Sequence, residues 1–162
     1  MKENLKIVVI ENSLHDYDEI IETIEELQAH SYFPSDENTF DDLRSMYPSV
    51  LEIGRSKDRQ QIVSLEIRSM LDAYIDGQEP EKVLFICDYE LFPKKREVNG
   101  IEFFKKFIDQ NVVAIFVSRT DDQEIVQEIE SFVATLRDGV FISKRDQKFK
   151  TKLRHEIDFF LG

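Results

Sequence analysis

Asp88 ends an uninterrupted apolar run, KVLFIC at 82–87, and a second acid, Glu90, follows two positions later. A carboxylate aimed out of a buried strand can act as a nucleophile or as a ligand for a hard cation. Which of these it does depends on what else reaches the same place. Three other apolar runs end in the same manner. LKIVVI at 5–10 leads into Glu11 and Asn12, VVAIFVS at 112–118 closes on Ser118, and GVFIS at 139–143 is followed by Lys144. The four strand ends thus offer two acids, an amide, a hydroxyl and an ammonium. In an open parallel α/β sheet, ligands gather beyond the carboxyl ends of the strands. These residues are therefore expected to share one polar pocket.

The elements that must position them follow from the hydrophobic pattern. The four runs are continuous rather than alternating, which fits strands covered on both faces. Helical stripes lie between and after them. Ile20, Ile24 and Leu27 share one side of 16–29, and Ile101, Phe104 and Ile108 share one side of 100–109. Ile125, Ile129, Phe132, Val133 and Leu136 mark 121–136, and Phe149, Leu153, Ile157 and Phe160 mark the last stretch. Strand and helix in alternation predict a doubly wound α/β domain with helices on both faces of a parallel sheet.

The stretch 30–80 is irregular. It holds about 30 residues more than a strand, a helix and average loops require. Residues 59–76 read as a helix, with Ile62, Leu65, Ile67, Met70, Leu71 and Ile75 as its apolar positions, whereas SYFPSDENTF is rich in turn residues. FDDLRSMYPSVLEIGRS is expected to hold a short helix and the second strand, at 49–53. The whole of 1–162 reads as a single domain carrying an insertion over about 30–80, with no output domain after it.

The formal charge of −12 argues against nucleic acid and anionic lipid as partners, since both require cationic surface. The single cysteine, Cys87, excludes an internal disulfide and a multi-cysteine metal site, and its place within an apolar run makes it a core residue. His15, His30 and His155 have no paired cysteines or histidines at metal-ligand spacing and read as structural or exposed. No stretch is long and apolar enough for a signal peptide or a membrane span, so the expected location is the cytoplasm.

These residues carry a resemblance. The chain resembles, over nearly its whole length, the receiver domain of two-component response regulators. That family has an acid pair after the first strand, an aspartate after the third, a Ser/Thr after the fourth and a lysine after the fifth, which here are Glu11–Asn12, Asp88, Ser118 and Lys144. ENSLHD is similar to the family's opening loop, with Asp16 at its last place, and NGIEFFKKF to the segment that opens its third helix. Phe141 stands at the aromatic switch position. The resemblance implies a flavodoxin-like fold, five parallel strands in the order 2-1-3-4-5, with an insertion between the first helix and the third strand. It implies that Asp88 accepts a phosphoryl group from a histidine kinase or phosphotransfer protein, with Mg²⁺ held by Glu11, Asn12, Asp88 and the backbone carbonyl of Glu90. Lys144 and Ser118 would bind the phosphoryl group, and Ser118 and Phe141 would relay its arrival to a surface read by an unidentified downstream protein. The chain would be a stand-alone signalling domain rather than an enzyme, and a homodimer is compatible with it.

The departures have consequences. Asn12 replaces the family's metal-binding Asp, which predicts weaker Mg²⁺ binding. KKREV lengthens the loop after Asp88 and brings Lys94, Lys95 and Arg96 toward the acids, and Arg145 replaces the proline after the lysine. They motivate an alternative, a pseudo-receiver that docks partners without phosphorylation. The DYE triplet at 88–90 also invites a phosphohydrolase, but enzymes of the haloacid-dehalogenase type place that motif after the first strand.

Overall fold

The computed structural model describes residues 5–29, 31–52 and 54–162. The elements are β1 (Lys6–Ile10), α1 (Leu14–Glu26), β2 (Tyr32–Phe33), α2 (Glu37–Leu51), α3 (Lys57–Ile75), β3 (Val83–Asp88), α4 (Gly100–Phe107), β4 (Val113–Ser118), α5 (Gln123–Val133), β5 (Asp138–Ser143) and α6 (Phe149–Leu161). The five strands form one parallel sheet in the order β2-β1-β3-β4-β5. This is the flavodoxin-like order expected from the sequence.

The continuous apolar runs are explained by the two-sided cover. On one face Val8, Ile10, Phe85, Cys87 and Phe116 pack under Leu43 and Tyr47 of α2, Ile67 and Leu71 of α3, Phe103 and Phe104 of α4, and Ile129 and Phe132 of α5. On the other Ile7, Val9, Leu84, Ile86, Ile115 and Val117 meet Tyr17, Ile20 and Ile24 of α1 and Leu153 and Ile157 of α6. Successive residues of a strand point to opposite faces, so a strand buried on both sides has no polar position to spare until it ends. The polar residues are therefore displaced to the strand ends.

The insertion differs from its expectation. The second strand is not at 49–53. Residues 49–51 belong to α2, and Ile53, like His30, lies outside the described residues. The second strand is the two-residue β2, within the stretch read as turns, and it pairs with Ile7 and Val8 at the sheet edge. α2 continues through Pro48. Proline inside a helix costs about 3 kcal/mol, and burial of Leu43, Tyr47 and Val50 on one face of α2 offsets that cost. The extra length is a second helix: α2 and α3 both lie in the β2-to-β3 crossover. His15 and His155 are exposed, as expected.

Candidate functional site

The register of the sheet sets β3, β4 and β5 side by side at their C-terminal ends, with Asp88 opposite Val117 and Ser118 opposite Ser143. The Lys144 backbone N–H donates to the Ser118 carbonyl at 2.7 Å, so the β5 exit stays against β4. From there the Lys144 ammonium reaches back across the sheet. Its Nζ lies 3.0 Å from Glu11 Oε2, 2.8 Å from Asp16 Oδ2 and 3.2 Å from Asp88 Oδ1. The Lys144 side chain is 4% exposed, and those of Glu11, Asp16 and Asp88 are 0%, 7% and 3% exposed. Three enclosed carboxylates share one enclosed ammonium.

Each carboxylate is held by its own local structure. Glu11 Oε1 accepts from the backbone N–H groups of Asn12 and Ser13, at 2.9 and 3.0 Å, which turns the acid back onto the β1–α1 loop. Ser13 caps α1 through the Asp16 N–H and so places Asp16 in the first turn, beside the strand end. The Arg119 guanidinium closes on the other oxygen of Asp16. Helix α2 braces the same loop, since Arg44 donates to the Asn12 carbonyl at 3.2 Å.

Burial and the shared charge together set the titration of the group. Burial, and then the charge of Glu11, push the Asp88 carboxyl well above the usual carboxylate range, with Lys144 pulling the other way. Burial also works to raise Asp16, but the bonds and charges of Lys144 and Arg119 outweigh it and hold this carboxyl below its ordinary value. For Lys144, burial favours loss of the proton, and the carboxylates of Asp88, Glu11 and Asp16 reverse the effect, so the ammonium is raised above its ordinary range. The cluster is short of positive charge, and Asp88 carries the deficit.

The comparisons with known proteins bear on the architecture. No protein-family model matches the chain, and no curated protein matches it. Among solved structures, a crystal structure of a response regulator receiver domain from Rhodospirillum rubrum is similar, with a TM-score of 0.54, over 97% of this chain and 94% of that one, at 16% sequence identity. The fold is that of a receiver domain. Identity at that level speaks for the fold, and function has to be argued from the site.

On this receiver fold the residues singled out in the sequence separate into two groups. Glu11, Asp88 and Lys144 come into direct contact. Ser118 is fully buried, and its hydroxyl donates a hydrogen bond to the Glu90 carboxylate at 2.6 Å. It does not cap the next helix, whose N-cap is Asp122. Phe141 is half-buried on β5 opposite Phe116. Asn12 enters through its backbone, as described above. Of the KKREV cations, Lys95 pairs with Glu52 at 3.8 Å and Arg96 with the Tyr89 side chain. The second cation at the acids is Arg119. Asp16 and Arg119 are the residues that sequence reasoning did not place in the site. Asp16 had a signal in the Ser13-x-x-Asp16 cap, whereas Arg119 had only its position after Ser118.

Gly100 sets how close the lengthened loop can return to Asp88. Its N–H donates to the Tyr89 carbonyl at 2.9 Å, and a Cβ at this position would lie 2.4 Å from the Asp88 carbonyl oxygen and 2.8 Å from Cys87 Sγ. Gly→Ala within a helix ordinarily stabilises, but here backbone blocks the methyl group. Gly100→Ala is expected to destabilise the fold by about 1–3 kcal/mol, as overpacking does. A urea unfolding midpoint equal to that of the parent protein would show that α4 can retreat freely.

Proposed function

We propose that this chain is a response-regulator receiver in which Asp88 accepts a phosphoryl group. The observation that carries the reading is the Asp88 carboxylate itself, placed at the end of the central strand and held 3.2 Å from the Lys144 ammonium beside Glu11. A carboxylate nucleophile has to reach an incoming phosphorus, and a fixed cation has to meet the phosphoryl oxygens. An Asp88 oxygen attacks the phosphorus of a phosphohistidine. The new O–P bond forms as the P–N bond breaks, and the imidazole nitrogen keeps the electron pair and takes up a proton. Lys144 then has one fewer free carboxylate to neutralise and a phosphoryl oxygen to hold as a point charge.

The donor set fits a hard divalent cation, since three enclosed carboxylates face one enclosed ammonium and the Arg119 guanidinium, and the charge of Glu11 adds to burial in raising Asp88. Glu11, Asp88, the Glu90 carbonyl and position 12 would hold Mg²⁺. The ion would supply charge neutralisation at the phosphoryl oxygens. Partners of this reading are a phosphohistidine-bearing kinase or phosphotransfer protein and a downstream protein that reads the surface near Ser118 and Phe141. The chain is then a switch rather than a turnover enzyme, consistent with the fold. Among the described residues no helix is long and apolar enough to cross a membrane.

Incubation with acetyl phosphate and Mg²⁺, followed by intact-mass measurement, tests the reading. One phosphoryl mass is expected on the parent chain and none on Asp88→Asn. If the parent gains nothing beside a competent control receiver, or if Asp88→Asn gains equally, the phosphoacceptor assignment is wrong.

A further inference from the structure

Ser118 has one proton to donate, and in the resting chain that proton is already committed. Its hydroxyl donates to Glu90 Oε1 at 2.6 Å, and the Arg119 backbone N–H donates to the same oxygen at 3.1 Å. The Thr120 N–H donates to Ser118 Oγ at 3.1 Å, so the Glu90 carboxylate binds Ser118 and Arg119 directly and Thr120 through the Ser118 hydroxyl. The Glu90 backbone is held separately, by its bridge to Asn99, and the Tyr89 N–H is bonded to the Val117 carbonyl at 2.9 Å. The other oxygen, Glu90 Oε2, is buried without a hydrogen-bond partner among the described residues. A buried carboxylate oxygen with no donor is unfavourable, so the seat of this side chain rests on Oε1 alone.

We infer that the Glu90 side chain is a built-in competitor for the phosphoryl group, holding the Ser118 hydroxyl and the Arg119 amide in the unmodified protein and surrendering them when Asp88 is phosphorylated. The inference rests on the phosphoacceptor reading and adds a role for the Glu90 side chain, distinct from the carbonyl assigned to the metal. A hydroxyl cannot donate to two acceptors at once. To bind a phosphoryl oxygen, Ser118 has to turn away from Glu90, and the two negative groups repel each other across the short span between them. The poorly satisfied Oε2 makes the departure easy. Glu90 also lines a groove of about 340 Å³ together with Tyr89, Phe92, Arg96, Arg119 and Ile125, so its departure alters a surface as well as a bond.

The test follows loss of the acyl phosphate after acetyl phosphate is removed, in the parent chain, Glu90→Ala, Glu90→Gln, Ser118→Ala and the Glu90→Ala/Ser118→Ala pair. In this loss water adds to phosphorus, releasing inorganic phosphate and the Asp88 carboxylate. Freeing a charge-assisted hydrogen bond is expected to lengthen the lifetime about tenfold in Glu90→Ala. Glu90→Gln, which keeps the acceptor oxygen and drops the charge, should fall between the parent and Glu90→Ala, and it covers the case in which Glu90→Ala folds poorly. In the Ser118→Ala background the effect of Glu90→Ala should vanish, because the competition runs through that hydroxyl. Equal lifetimes in the parent and Glu90→Ala, or an effect that persists without Ser118, overturn the inference and leave the Asp88 assignment standing. No phosphoryl gain in any of the five proteins overturns both.

Discussion

Replacing Lys144 by methionine is expected to destabilise the protein by about 3–5 kcal/mol, the scale seen when one partner of a buried ion pair is removed. The ammonium touches three carboxylates at 3.2 Å or less, and all four side chains are at most 7% exposed. Methionine keeps most of the apolar stem and takes away the charge, so Glu11 and Asp88 would face each other with no cation between them, while Asp16 would retain Arg119. For a chain of this size each kcal/mol moves Tm by roughly 2–4 °C, so the drop should be on the order of 10 °C. Thermal melts followed by circular dichroism at neutral pH measure it. The pair Lys144→Met/Asp88→Asn should recover part of the loss, because groups in one contact network do not act additively. A Lys144→Met protein that melts within about 2 °C of the parent would show that water, and not Lys144, balances the acids.

The second prediction has the opposite sign. Asp88→Asn removes a carboxylate that burial and Glu11 hold well above its ordinary range, and it should stabilise the fold by about 1–2 kcal/mol at pH 8, as relief of an unfavourable buried charge does. The pH dependence follows from linkage. A carboxyl whose folded pKa exceeds its unfolded value binds its proton more tightly in the folded state. Its stabilising contribution is therefore present below the unfolded value and is lost as pH rises through the folded one. The asparagine amide has no such proton to lose. The gain in Tm of Asp88→Asn over the parent should thus be small in acid and grow toward alkaline pH. A gain that shrinks with rising pH would mean that Asp88 is stabilised, not penalised, by its surroundings. Stability and phosphorylation then move apart, since the same substitution that firms the fold removes the proposed nucleophile.

Legibility in the sequence tracked how many faces of an element are buried. VLFIC and AIFVS are covered above and below, so almost every residue had to be apolar and the strands could be read without structural help. β2 pairs through only two residues at the sheet edge, too few for any period to show. Residues 49–51, expected in a strand, continue α2 past Pro48, and burial of Tyr47 and Val50 offsets the cost of a proline there.

The site was legible in the same uneven way. Glu11, Asp88 and Lys144 could be named because each follows a strand that had to end there, and parallel strands end on one side. The contact between Asp16 and Arg119 could not, since it joins residues 103 apart in the chain through side-chain reach alone. The partner of Ser118 was equally hidden, because nothing in DYE or VSR says that the Glu90 side chain folds back onto the β4 exit.

By itself, then, the order of apolar runs and polar strand ends determined the class of fold and the edge of the sheet where the charged residues collect. Hydrophobic burial is non-directional and repeats along the chain, so its pattern is written locally. Only the tertiary structure decided which oxygen faces which nitrogen, that one ammonium serves three acids and that Ser118 is committed to Glu90. Hydrogen bonds and ion pairs depend on distances of a few ångströms between residues remote in sequence, and those distances exist only once the sheet has closed its register.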